Sequence, residues 1–152
     1  MRRVFIGEID IKKISEKIDP YIIHEEAQEY NGCSYIYEGK YYIQRSSKVT
    51  PKKIGQFVTL WKRDESGKTI PYHLNDPLDY VLIICDTESE QGYFLFPKDA
   101  LVKKGILSSE YKEGKRGFRL YPKWDQPTSK QAISSQKWQL DYFFNGTFQG
   151  IR

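Results

Sequence analysis

The sequence predicts an α/β domain built on a single mixed β-sheet flanked by helices, and three observations carry that prediction. The run Tyr80-Val81-Leu82-Ile83-Ile84-Cys85 is short and nearly all apolar, which suits a central strand covered on both faces. Cys33 to Tyr37 and Lys40 to Lys48 are rich in Tyr and Ile and enclose Glu38-Gly39, the pattern of a hairpin. Other segments space their apolar residues as helices do, and helices mixed with strands in this order indicate an α/β or α+β domain.

In chain order, Ile11, Ile14 and Ile18 have helical spacing within Ile9 to Ile18. Asp19-Pro20 is a second helix start, with Asp as cap and Pro in the first turn. Ile22, Ile23, Ala27 and Tyr30 continue that helix, and Asn31-Gly32 ends it. The hairpin follows, and in its second strand Tyr42, Gln44, Ser46 and Lys48 share one face. Thr50-Pro51 opens a third helix, whose buried stripe is Ile54, Phe57, Val58 and Trp61 at i, i+3, i+4 and i+7. Beyond the polar loop at Asp64 to Gly67 and the break at Asn75-Asp76-Pro77 comes the central strand at Tyr80. Tyr93 to Phe96 is a strand closed by Pro97, Ala100 to Lys104 a short helix ended by Gly105, and Gly117 to Tyr121 a strand stopped by Pro122. The last element is a helix from about Ser129 to Phe144, with Ile133, Leu140 and Phe144 among its apolar contacts. Trp124 and Trp138 read as core anchors. With no repeat or linker in between, residues 1–152 are expected to form one domain.

A chain of 152 residues can bury roughly 70% of its unfolded surface. A mean hydropathy of -0.67 and the shortness of the longest apolar run exclude an integral membrane protein. Arg2 and Arg3 are followed by Glu8, Asp10 and Lys12 rather than by an apolar export segment, so the expected location is the cytoplasm. Cys33 and Cys85 sit in apolar runs and read as buried free thiols. With only His24 and His73 beside them, a His/Cys zinc site is not expected, and neither is a cofactor; carboxylate sites stay open on this count.

Net charge +4 and pI ≈ 8.9 are too mild to identify a polyanion binder, but the distribution is informative. From Tyr41 to Arg63 there is no Asp or Glu, while Arg45, Lys48, Lys52, Lys53, Lys62 and Arg63 are present. Lys62 and Arg63 fall in the last turn of the third helix, where cations suit the macrodipole. Lys52 and Lys53 fall in its first turn, where a positive charge costs about 0.3–1 kcal/mol. Lysines beside free backbone N–H groups make an anion site, and Lys48 points to the same region. A solvated basic face is the competing reading. A second basic group, Lys112, Lys115, Arg116, Arg119 and Lys123, surrounds the turn Gly114-Lys115-Arg116-Gly117. If the two groups converge they form a groove along a phosphate backbone, with Tyr42 or Tyr35 available to stack on bases.

Several strings together resemble the MepB-like family of bacterial proteins: Thr50 through Arg63, Asp76-Pro77-Leu78-Asp79, Phe96-Pro97-Lys98, Tyr121-Pro122-Lys123-Trp124-Asp125 and Lys137 through Phe143. The resemblance covers roughly Glu29 to Phe144. It implies a restriction-endonuclease-like α/β core with a degenerate active site, a bacterial source and an association with nucleic acid. Arg45, Lys48 and the Thr50 to Arg63 motif carry over as ligand contacts.

A nuclease of that fold needs carboxylates around a divalent ion and a Lys to position water, with an acid two residues before the Lys. Here the string is Ser46-Ser47-Lys48, and a neutral hydroxyl is a poor Mg²⁺ ligand. Glu25, Glu29 and Glu38 are the carboxylates available to a residual metal site, although each reads first as a surface charge or cap. There is no Gly-x-Ser-x-Gly elbow and no Cys–His motif. The expectation is a non-catalytic nucleic-acid-binding protein of low sequence specificity that grips phosphates through a basic helix N-terminus. Lys48, Lys52 and Lys53 make the contacts, Arg45 and Arg63 support them, and Tyr42 stacks. The alternatives are a regulatory protein-interaction domain with an acidic partner and, third, a metal-dependent nuclease.

Overall fold

Glu38 and Gly39 both take positive φ, 49° and 78°, the backbone of a two-residue hairpin turn whose twist matches the flanking strands. That turn joins β4 (Cys33–Tyr37) to β5 (Lys40–Ser46) in antiparallel register, Tyr35 opposite Tyr42. Glu38 is therefore an exposed turn residue, and among the described residues it joins no cluster of metal-ligating side chains. The computed structural model describes residues 32–148, together with the short strands β1 (Phe5–Ile6), β2 (Ile9–Asp10) and β3 (Ile22–Ile23). Most of the two helices expected before Gly32, with Glu25 and Glu29, lies outside the described residues. Where the chain is described there it is extended: β1 pairs β2, and Ile22 and Ile23 pair β4 instead of continuing a helix.

The apolar run becomes β10 (Tyr80–Ile84), which lies parallel to β5 and antiparallel to β11 (Gly92–Pro97). β13 (Phe143–Asn145) and β3 complete a six-stranded mixed sheet in the order β13-β11-β10-β5-β4-β3. Val81, Leu82 and Ile83 are fully buried, as a strand covered on both faces requires.

The sheet is not simply flanked by helices. One face packs Ile43, Val81, Ile83 and Phe96 against Val58 and Leu60 from the segment after β6 (Lys48–Val49), and against Phe118 and Leu120 of β12 (Gly117–Leu120). The third expected helix is absent: Gln56–Thr59 is strand β7, which pairs β6 and β12, and Trp61–Arg63 is strand β8, which pairs β9 (Thr69–Pro71). Burial alternates along Gln56, Phe57, Val58, Thr59 and Leu60, a strand's period. Helices at this face are short, α1 (Lys98–Lys103) with Leu101 and α2 (Lys130–Gln139) with Trp138. Helix α2 starts where expected, with Ser129 as its cap, but it ends at Gln139 and Phe143–Asn145 turns into the edge strand β13. Ile133 is 50% and Phe144 47% exposed, so neither is a core contact. β11 offers an unpaired edge, and pairing Phe143 and Phe144 with it outweighs one more helical turn.

Cys33 and Cys85 are buried and form no disulfide. Burial pushes the Cys85 thiol up from 9.0 to about 12, and burial likewise raises the Tyr42 hydroxyl from 10.0 to about 12. Both acids are held neutral by the fold, while the unfolded chain loses these protons first. Their contribution is complete below the unfolded values and is lost as pH rises toward the folded ones. Unfolding free energy from urea titrations should therefore fall between pH 9.0 and about 12. Cys85→Val should flatten the lower part of that decline, and an unchanged profile would remove Cys85 as its cause.

Candidate nucleic-acid interface

Thr50-Pro51 does begin a local structure, but it is a turn. Pro fits the second position of a β-turn as well as it fits a helix start. The Lys53 amide donates to the Thr50 carbonyl at 3.4 Å, and the Thr50 hydroxyl donates to the Lys53 carbonyl at 3.3 Å. Gly55 then takes φ +91°, where a Cβ would meet the Leu120 carbonyl oxygen at 2.7 Å and the Tyr121 ring at 2.8 Å. The close approach and the positive φ both require glycine and turn the chain into β7. Gly55→Ala should cost about 1–3 kcal/mol in urea unfolding, since it forces a left-handed backbone on a residue with a Cβ. A neutral result would show that the turn relaxes freely.

This turn presents Lys52 and Lys53 as exposed side chains, with no helix dipole behind them. The expected helix N-terminus is therefore replaced as the organising feature by a cross-strand row. Lys48 lies opposite Phe57, and Phe57 opposite Arg119, across the sheet β6-β7-β12. Residues directly opposite share a face, so Lys48 and Arg119 stand at register positions on either side of the half-buried Phe57, on the face away from Val58 and Leu120. Gly117 leaves room for the ring, because a Cβ there would meet Phe57 at 2.6 Å. Arg119 donates to the Ile54 carbonyl at 3.2 Å and to the Thr50 hydroxyl, which fastens the Lys52-Lys53 turn to β12. No carboxylate pairs with Arg119 among the described residues. Of the second basic segment, Arg119 joins Lys48 through the β7–β12 pairing, while Arg116 donates to the Thr69 carbonyl at 2.9 Å.

Three expected contacts do not belong to this surface. Arg45 is 0% exposed inside the central sheet. Tyr42 is 3% exposed and stacked between Tyr35 at 5.5 Å and Tyr80 at 5.2 Å, so neither Tyr42 nor Tyr35 is free to stack on a base. Arg63 is in strand β8, where it lies over the Trp61 ring at 5.2 Å and donates to the Gly67 carbonyl at 2.9 Å. Its neighbour Lys62 is ion-paired with Asp76 at 2.5 Å, and no helix macrodipole is involved. Conversely, Phe57 and Arg119 were not singled out as a pair by the sequence. Only the strand register brings them together.

A family model described as MepB-like matches residues 24–145. The chain belongs to the MepB-like family. A solved structure titled "Crystal Structure of MepB" is similar at 38% identity, covering 89% of this chain and 93% of that one, with a TM-score of 0.81. No curated protein matches.

In this MepB-like chain, Ser47 sits where β5 bends into β6 and is used for structure. Its hydroxyl donates to the Gln56 side-chain carbonyl at 2.6 Å, and the Gln56 amide donates to the Cys85 carbonyl at 2.9 Å. Among the described residues no three His, Cys, Asp or Glu side chains converge as metal ligands. Asp125, whose carboxyl burial pushes up from its ordinary value, lines a cleft of about 610 Å³ with Lys53, Gln56, Glu90 and Trp124. No helix of the described residues is long and apolar enough to cross a membrane.

Proposed function

We propose that this MepB-like protein binds nucleic acid without cutting it, on a restriction-endonuclease-like scaffold whose metal site has degenerated. The observation that carries the reading is the row Lys48–Phe57–Arg119 beside the exposed Lys52-Lys53 turn. Cations on either side of an aromatic ring are suited to a strand whose phosphates pair with the cations while one base stacks on the ring. Phosphate contacts position the strand without reading its sequence, so specificity is low. A half-exposed ring can stack on an unpaired base but not on one inside a duplex, which favours single strands. Ser46-Ser47-Lys48 supports binding over hydrolysis, because its hydroxyls are neutral and Ser47 is engaged with Gln56.

Fluorescence anisotropy with a single-stranded oligonucleotide across a salt series tests this directly. Four phosphates held by Lys48, Lys52, Lys53 and Arg119 give a log–log slope of about −2.8 on single strands, and the Lys52→Ala/Lys53→Ala variant should flatten it by about 1.4. Phe57→Leu should weaken binding by about 1–3 kcal/mol at any salt, because an aliphatic side chain keeps the volume but not the stacking face. Equal affinity in wild type and double variant would misplace the site. Absent binding at low salt would instead favour an acidic protein partner for the same face.

A further inference from the structure

On the far side of Arg119 the chain encloses a second feature. A cavity of about 330 Å³ opens between β12, α1 and α2, a size at the lower end of small-molecule sites. Three cations line it, Lys104, Lys115 and Arg119, the last with two guanidinium nitrogens already donating to Ile54 and Thr50, and among the described residues no Asp or Glu lines it. Its apolar wall is Phe118, Tyr121 and Trp138, with Lys104 5.5 Å over the Trp138 ring. The remaining polar lining comes from α2. Ser129 caps the helix by accepting from the Ala132 amide at 3.1 Å, and Gln131 and Ser135 project from its first turns. The first turn of α2 carries no acid. Lys115, Gln131 and Ser135 have no side-chain hydrogen bond or ion pair among the described residues. Gln139, by contrast, is spent on the backbone of Tyr121 and Arg119.

Cations that converge on a partly apolar hollow without a counter-charge repel one another, and a fold selected for stability alone would place an acid among them. An anion with a flat apolar body removes that repulsion and fills the hollow. We propose that this cavity binds a phosphomonoester attached to an aromatic base. The phosphate sits among Lys104, Lys115 and Arg119 at the start of α2, and the base lies against Tyr121 and Trp138. The same chemistry is carried by a free nucleoside monophosphate and by the phosphorylated end of a strand. The hollow is too small for more than one nucleotide. Arg119 is shared with the outer row, but Lys104, Lys115 and Ser135 are not, so the two sites can be tested apart.

The experiment is calorimetric titration of the full chain with adenosine 5′-monophosphate, adenosine and inorganic phosphate. The monophosphate should bind saturably at one site, phosphate more weakly, and adenosine at least tenfold more weakly still. Lys104→Ala/Lys115→Ala should weaken the monophosphate at least tenfold, while Lys68→Ala, at an exposed lysine that lines neither site, leaves it unchanged. Both lysines are exposed, so the variant should fold. Ser135→Glu places a carboxylate in the hollow and should abolish binding. A 5′-phosphorylated oligonucleotide that outcompetes its 5′-hydroxyl counterpart identifies the strand end as the source; equal competition identifies the free nucleotide. No monophosphate binding, or binding that none of the cavity variants changes, overturns the proposal. Oligonucleotide binding to the outer row is judged separately by its own variants.

Discussion

Replacing Phe96 with alanine should lower the unfolding free energy by about 3–5 kcal/mol, which is a large share of the roughly 5–15 kcal/mol that a domain has in total. Phe96 is 0% exposed and belongs to β11, so its backbone is held by Val81 in the six-stranded sheet. Its ring meets one ring of its own strand and rings from three other elements. It lies 5.3 Å from Phe94, 6.2 Å from Phe118 of β12, 5.4 Å from Trp138 of α2 and 5.7 Å from Tyr142 in the turn after α2. Truncation leaves a hole walled by rings from separate elements, none of which can collapse into it without leaving the others. Phe144→Ala is the control. That ring is 47% exposed on the edge strand and stacks only on Tyr93 among the described residues, so its loss should cost less than about 1 kcal/mol. Equal losses in the two variants, read from urea midpoints, would show that the Phe96 rings do not form one core.

The contrast between Phe96 and Phe57 marks what was legible in the sequence. Phe96 lies in a run closed by Pro97, and the apolar Tyr80–Ile84 run has one plausible fate, so both strands and the hairpin before them were readable from local pattern. The segment 54–61 was not. Ile54, Phe57, Val58 and Trp61 satisfy a helical stripe, yet Gln56, Val58 and Leu60 are the buried set. A glutamine at a core position hides the period-two signal. It is tolerated only because Ser47 and the Cys85 carbonyl, both distant in sequence, satisfy its amide. Gly55 breaks any helix there through its positive φ, but the contact that requires a glycine comes from Leu120 on another strand. The site followed the same logic. Lys48, Lys52 and Lys53 were visible as a charge cluster, whereas Arg119 joins them through a strand pairing that no local pattern encodes.

Replacing Arg45 with methionine should raise the unfolding free energy by about 1–4 kcal/mol, the reverse of what removing a ligand-binding arginine from a surface would do. The residue is 0% exposed on β5, beside Ile83 of β10 in the middle of the mixed sheet. One guanidinium nitrogen, Nη1, donates to the Gln44 carbonyl at 2.9 Å, but Nε and Nη2 have no hydrogen-bond partner among the described residues. A buried donor left unpaired forfeits its hydration without recompense, and a charged one forfeits more. Methionine keeps the unbranched length of the stem, conforms to an irregular space and carries no donor to satisfy. The same variant should bind oligonucleotide with unchanged affinity, because no phosphate reaches a side chain with no exposed surface. Urea unfolding and the anisotropy titration, run on one preparation, read both effects. Destabilisation by more than about 1 kcal/mol would mean that the guanidinium is matched by an acceptor outside residues 32–148. Weakened binding with stability retained would return Arg45 to the interface.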